Sequence, residues 1–200
     1  MSNDKNCVNR ELFFSDSQKG INMTAIYSGA YGTGKTWLAL TLAHAFAVQK
    51  KKILFFDADW GNNNISSYLS IENSHTLSDA IYRNLTLNQV VFHSEKTGFD
   101  ILCGDKEAAG LSALPIGRLQ LLAEDLSLIS KNYDHIFLDV SSGKQNFSNI
   151  LAGMVKASLL IISPNPQSLI SAYEIIRKTG AQYPTNKIYI VVNQVNSKRE

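Results

Sequence analysis

Gly29-Ala30-Tyr31-Gly32-Thr33-Gly34-Lys35-Thr36 fits the pattern G-x-x-x-x-G-K-[ST]. That spacing suits one chemistry. A Gly-rich turn presents main-chain N–H groups to a phosphate chain, the lysine reaches the β- and γ-phosphates, and the hydroxyl that follows ligates Mg²⁺. Gly29, Tyr31, Gly32, Thr33, Gly34, Lys35 and Thr36, with Trp37 directly after them, are therefore candidate binding residues for Mg·ATP or Mg·ADP. The flanks agree. Residues 24–28 read as a short buried strand and 36–49 as a helix. A strand, a glycine turn and a helix N-terminus in sequence form an anion site.

Phosphoryl transfer also needs a held cation and an oriented nucleophile. Asp57 closes an apolar run, Asp59 follows it on a loop, and Asp139 closes a second apolar run. Asp139 suits the task of holding Mg²⁺ with Thr36 and Asp57, and Asp59 is placed to orient an attacking water. Lys35, Asp59 and Asp139 are the candidate catalytic residues. Each aspartate alone also suits a strand-terminal turn; all of them behind one phosphate loop favour the functional reading.

These side chains need elements to position them. Near-continuous apolar runs at 52–57, 99–103, 135–139, 158–163 and 187–193 read as strands buried on both faces. Helical patterns lie between them at 77–83, 116–131 and 168–179, with Gly180 expected to close the last. The pattern predicts an α/β fold: a doubly wound, mainly parallel, Rossmann-like sheet with helices on both faces, three layers in all. In such sheets ligands sit beyond the carboxyl ends of the strands. Residues 1–22 read as an N-terminal extension and 23–200 as the nucleotide-binding domain. Leu12-Phe13-Phe14 is the only apolar cluster in that extension, a candidate for docking on the body.

Composition bounds the rest. The chain has 200 residues, a net charge of +2 and 44% hydrophobic residues, enough for one substantial core. No basic block favours DNA, and Lys50-Lys51-Lys52 reads as a solvated helix end. Cys7 and Cys103 match no metal spacing and suggest a reducing compartment. The four histidines are scattered. No apolar run spans a membrane and no signal peptide is visible, so the cytoplasm is expected.

These motifs resemble the MinD/ParA class of P-loop ATPases over about residues 23–196. The phosphate loop resembles that class's K-G-G-x-G-K-T. Asp57-Ala58-Asp59-Trp60-Gly61-Asn62-Asn63-Asn64 resembles the D-x-D-x-G-x-x-N element of the MinD branch. Tyr133 to Gly143 resembles the switch II segment, and Ser163 to Tyr173 is similar to a segment of the flagellar-number regulator FlhG. The resemblance implies that Lys35 and Thr36 bind phosphate and Mg²⁺, that Asp59 orients water and that Asn193 contacts adenine. It implies an ATPase switch with a protein partner.

The departures are specific. Ala30 stands where the class carries a lysine that reaches the partner protomer's nucleotide. A monomer, or a weak nucleotide-dependent homodimer with slow hydrolysis, is therefore expected. Asn165 replaces a glutamate and Ser171 an aspartate. The class's C-terminal amphipathic membrane helix and FlhG's N-terminal D-Q-A-x-x-L-R are not visible. Two alternatives stay open: a nucleotide-binding scaffold with little hydrolysis, and a bacterial tyrosine kinase, whose phosphate loops also lack that lysine.

Overall fold

The computed structural model describes residues 22–196 apart from 60–64, 72–74, 84, 105–113 and 141–145. The N-terminal extension, Leu12-Phe13-Phe14, Cys7, Trp60 to Asn64 and Ser141 to Gly143 lie outside the described residues, so the expectations placed on them do too.

The strands are β1 (Met23–Ser28), β2 (Ile53–Ala58), β3 (Phe92–Ser94), β4 (Phe99–Leu102), β5 (His135–Val140), β6 (Ala157–Ile162) and β7 (Lys187–Val192). They form one sheet in the order β3-β4-β2-β5-β1-β6-β7. All pairings are parallel except β3 with β4. The expected doubly wound sheet is present. The short hairpin strand β3 was not expected; it turns back through Gly98 at φ 77°, a backbone conformation glycine adopts without steric cost.

The helices are α1 (Lys35–Val48), α2 (Ile65–Leu69), α3 (Leu77–Tyr82), α4 (Leu87–Val90), α5 (Ile116–Ile129), α6 (Asn146–Met154) and α7 (Pro166–Gln182). Side chains alternate across each strand. On β2, Ile53 and Phe55 join a core under α1 with Ala39, Leu40 and Ala43, while Leu54 and Phe56 join the opposite core with Leu119, Leu122 and Leu126 of α5 and Phe147 of α6. Phe55 and Phe56 are fully buried. Each contributes roughly 2 kcal/mol by leaving water, which offsets part of the cost of burying Asp57 near the end of the same strand.

Gly180 does not end α7. The helix runs on to Gln182, because no positive φ is demanded at Gly180. Pro184 sets the limit instead, since the residue before a proline leaves the helical region; Tyr183 sits at φ −132°, ψ 70°. Asn165 caps the other end, its side chain accepting from Ser168 N at 2.8 Å. No helix of the described residues is long and apolar enough to cross a membrane.

Candidate nucleotide-binding site

Strand alternation decides where the acids point. Asp57 follows Ile53 and Phe55 on one face of β2, and Asp139 follows Phe137 on the same face of β5. Both therefore face α1. They are also in register as neighbours on adjacent strands. The helix that starts at Lys35 brings its first turn down onto this pair.

The loop between β1 and α1 needs glycine at two positive-φ positions, Gly32 at 75° and Gly34 at 85°. Gly29 is required for a different reason. A Cβ there would lie 2.4 Å from Ser171 Cβ of α7, so α7 approaches the loop closely enough to exclude any side chain.

Lys35 is buried and donates to Asp59 Oδ2 at 2.9 Å and to Asp139. Burial pulls its ammonium down, but Asp139 and then Asp59 outweigh that and hold it above its ordinary value. Thr36 Oγ1 donates to Asp139 Oδ2 at 2.7 Å. Asp139 thus spends one oxygen on the lysine and the other on the hydroxyl. Asp57 spends its oxygens on the main chain, accepting from Asp59 N at 3.2 Å and Ile65 N at 3.1 Å. It does not contact Lys35 or Thr36 directly. These two bonds tie Asp57 to the main chain on either side of the loop that follows β2.

Burial, with Asp139 adding to it, pushes the Asp57 carboxyl from 3.8 up to about 7. Below the unfolded value both states hold the proton; between the two values only the folded state does. The folded protein therefore loses stability as pH rises through that window, and the loss is complete above about 7. Asp57→Asn cannot titrate. Its stability relative to wild type is expected to improve by on the order of 2 kcal/mol between pH 5 and pH 8. Urea unfolding of the nucleotide-free proteins at both pH values checks this, and a pH-independent gap contradicts it.

The other sequence-chosen residues divide. Asn193 is at the loop, its Nδ2 donating to Thr33 O at 2.8 Å. Tyr31 and Trp37 are exposed, at 85% and 57%, and neither joins the Lys35 cluster. Sequence reading named Ser171 only as a departure from the class pattern, without its approach to Gly29, and missed Gln194. Gln194 Nε2 donates to Gly32 O at 2.8 Å; a separation of 162 residues leaves no local signal.

The donor set fits a nucleotide phosphate with Mg²⁺. Thr33 Oγ1 is buried and has no partner among the described residues. The oxygens of Thr36 and Asp139 are hard donors, which Mg²⁺ prefers. Among the described residues no group of three or more His, Cys, Asp or Glu side chains forms a metal cage. Thr36 and Asp139 would supply hard oxygen donors to a cation here, which would offset phosphate charge.

Comparison with known proteins bears on the family and the fold. The family described as AAA domain matches residues 21–187. Antiactivator FleN of Pseudomonas aeruginosa is 25% identical over 187 residues, covering 92% of this chain and 65% of FleN. The chain thus spans less than two thirds of that relative. Tyrosine-protein kinase etk of Escherichia coli is 28% identical over 133 residues, covering 64% of this chain and 17% of the kinase. A chain of the MinC:MinD cell division protein complex of Aquifex aeolicus matches with a TM-score of 0.73 at 21% identity, covering 88% of this chain and 69% of that one. The last likeness is one of fold. The phosphate loop, the paired strand-end aspartates and the sheet order have a common explanation: the chain belongs to the AAA domain family, within the MinD/ParA class of P-loop ATPases.

Proposed function

We propose that this chain binds Mg·ATP and Mg·ADP at the phosphate loop and hydrolyses ATP slowly, as a regulatory or positioning switch of the MinD/FlhG kind with a protein partner, in the cytoplasm. The observation that carries the reading is the buried Lys35, kept charged by Asp59 and Asp139 beneath a loop with two positive-φ glycines. Without nucleotide, these carboxylates satisfy the lysine. When phosphate arrives, Lys35 exchanges its carboxylate partners for phosphate oxygens, and the released Asp59 turns to a water. Thr36 and Asp139 hold Mg²⁺, which neutralises phosphate charge when bound; Asp57 supports them from the neighbouring strand. Asn193 stands at the loop's edge to meet the base. Tyr31 on the loop and Trp37 in the first turn of α1 are exposed and would meet the nucleotide from solvent.

Asp59 acts on turnover more than on binding in this scheme. It is one-third exposed, and its pairing with Lys35 competes with phosphate. Asp59→Ala is expected to keep or modestly tighten ADP affinity and to lower kcat about tenfold or more, since orienting a nucleophile matters in the transition state. Fluorescent-ADP titration and steady-state phosphate release measure the two effects. An equal loss in affinity and no loss in kcat contradicts this role.

A second reading has its own observation. Ala30 offers a methyl group where the class places a charge, which favours a scaffold that binds nucleotide and hydrolyses little. Phosphate release separates the readings: turnover above a protein-free control supports the switch, and tight binding with none supports the scaffold.

A further inference from the structure

The end of β7 reaches back to the phosphate loop through successive side-chain amides. Asn193 N is anchored to Ile162 O at 2.8 Å on β6. From that anchor Asn193 Nδ2 donates to Thr33 O and Gln194 Nε2 donates to Gly32 O, each at 2.8 Å. Gln194 holds its place in the left-handed region, φ 61°, which a non-glycine residue enters at a steric cost. The contact with Asn193 is close enough that a Cβ at Gly34 would sit 2.6 Å from its Nδ2.

The consequence is directional. Every peptide bond here is trans. In a trans peptide the C=O and the next N–H point opposite ways. Holding Gly32 O toward Gln194 turns the Thr33 N–H away from β7, and holding Thr33 O toward Asn193 does the same for the Gly34 N–H. Neither N–H has an acceptor among the described residues. Successive unpaired N–H groups on a loop with positive-φ glycines form a concavity for an anion.

We propose that Gln194, together with Asn193, is a positioning residue of the phosphate loop: the two amides fix the loop carbonyls outward so that the Thr33 and Gly34 N–H groups are preset to receive phosphate oxygens. This rests on the nucleotide reading above and adds to it the device that prepares the loop. Asn193 keeps its Oδ1 free of partners among the described residues, so one side chain braces the loop and still meets a base. It also ties phosphate affinity to β7, whose Tyr189, Ile190 and Val192 are each about half exposed. Sequence change in that edge strand thereby reaches the loop.

The test is Gln194→Met, which keeps length and removes the donor. Amide ¹⁵N relaxation of the ligand-free protein reads the Thr33 and Gly34 N–H groups, and titration with ADP reads phosphate affinity. The variant is expected to mobilise the Thr33 amide, to weaken ADP about three- to tenfold as loss of one neutral hydrogen bond implies, and to leave the melting temperature within about a degree because Gln194 is exposed. An unchanged Thr33 amide with ADP affinity within twofold of wild type overturns the proposal. A lowered melting temperature with proportionate loss everywhere also overturns it, in favour of a general structural role. If the loop loosens while even the wild type binds no ADP, the brace stands, and its role toward phosphate falls with the nucleotide reading.

Discussion

Lys35→Ala is expected to weaken ADP and ATP at least about a hundredfold and to lower the melting temperature of the ligand-free protein. The first effect follows from removing the main counter-charge of a buried phosphate cluster, where charge-assisted bonds are the strong ones. The second follows from what remains. Asp139 is 1% exposed and Lys35 is 8% exposed. Removing the cation leaves Asp139 buried without its ammonium partner and beside Asp57, a loss of about 3 kcal/mol. For a chain of this size that is about 6–12 °C. Adding Asp139→Asn to Lys35→Ala removes the stranded charge and is expected to recover part of the stability but none of the affinity. Thermal melts and fluorescent-ADP titration of the three proteins check both halves. A Lys35→Ala protein that melts with wild type shows that the lysine is not paired as described.

Ala30→Lys is expected to act in the opposite direction. Two ATP-bound protomers facing each other bring phosphate charges together. In the class, a lysine at this position offsets that repulsion and stabilises charge at the γ-phosphate, much as an arginine finger does. Ala30 does neither, so the unmodified chain is expected to stay monomeric with ATP, or to pair weakly. Ala30→Lys should strengthen ATP-dependent pairing and raise kcat about tenfold or more, an amount well below what a fully formed finger supplies. Light scattering behind a sizing column, with ADP and then a non-hydrolysable ATP analogue, measures the pairing. A tight ATP-dependent dimer of the unmodified chain shows that another residue has taken over the lysine's task.

The phosphate loop, Asp57 and Asp139 were legible because local rules fix them. A glycine turn between a strand and a helix admits few geometries, and an aspartate after an apolar strand must emerge at the sheet's carboxyl edge. The buried strands were legible for the same reason, as were Leu119, Leu122, Leu126 and Ile129 on the inner face of α5. β3 was too short to show a period. α6 buries Phe147, Ile150, Leu151 and Met154, a helical spacing, but it covers nine residues with Gly153 among them, and the sequence reading assigns no helix there. Gly180 misled because glycine marks many helix ends; at α7 the proline four residues later governs. The contacts of Ser171 with Gly29, and of Asn193 and Gln194 with the loop, are made by tertiary packing alone. The division of labour among the aspartates also required the structure: Asp57 and Asp139 are equivalent as strand ends, yet Asp139 serves Lys35 and Thr36 while Asp57 serves its own loop.

The central claim is that Lys35 leaves Asp59 and Asp139 for a nucleotide phosphate. Calorimetric titration of the wild-type protein with ADP, with and without Mg²⁺, tests it most directly. One saturable site per chain, tightened by Mg²⁺ and absent in Lys35→Ala, is the predicted result. No heat of binding for ADP or ATP under either condition, or equal binding by wild type and Lys35→Ala, contradicts the account.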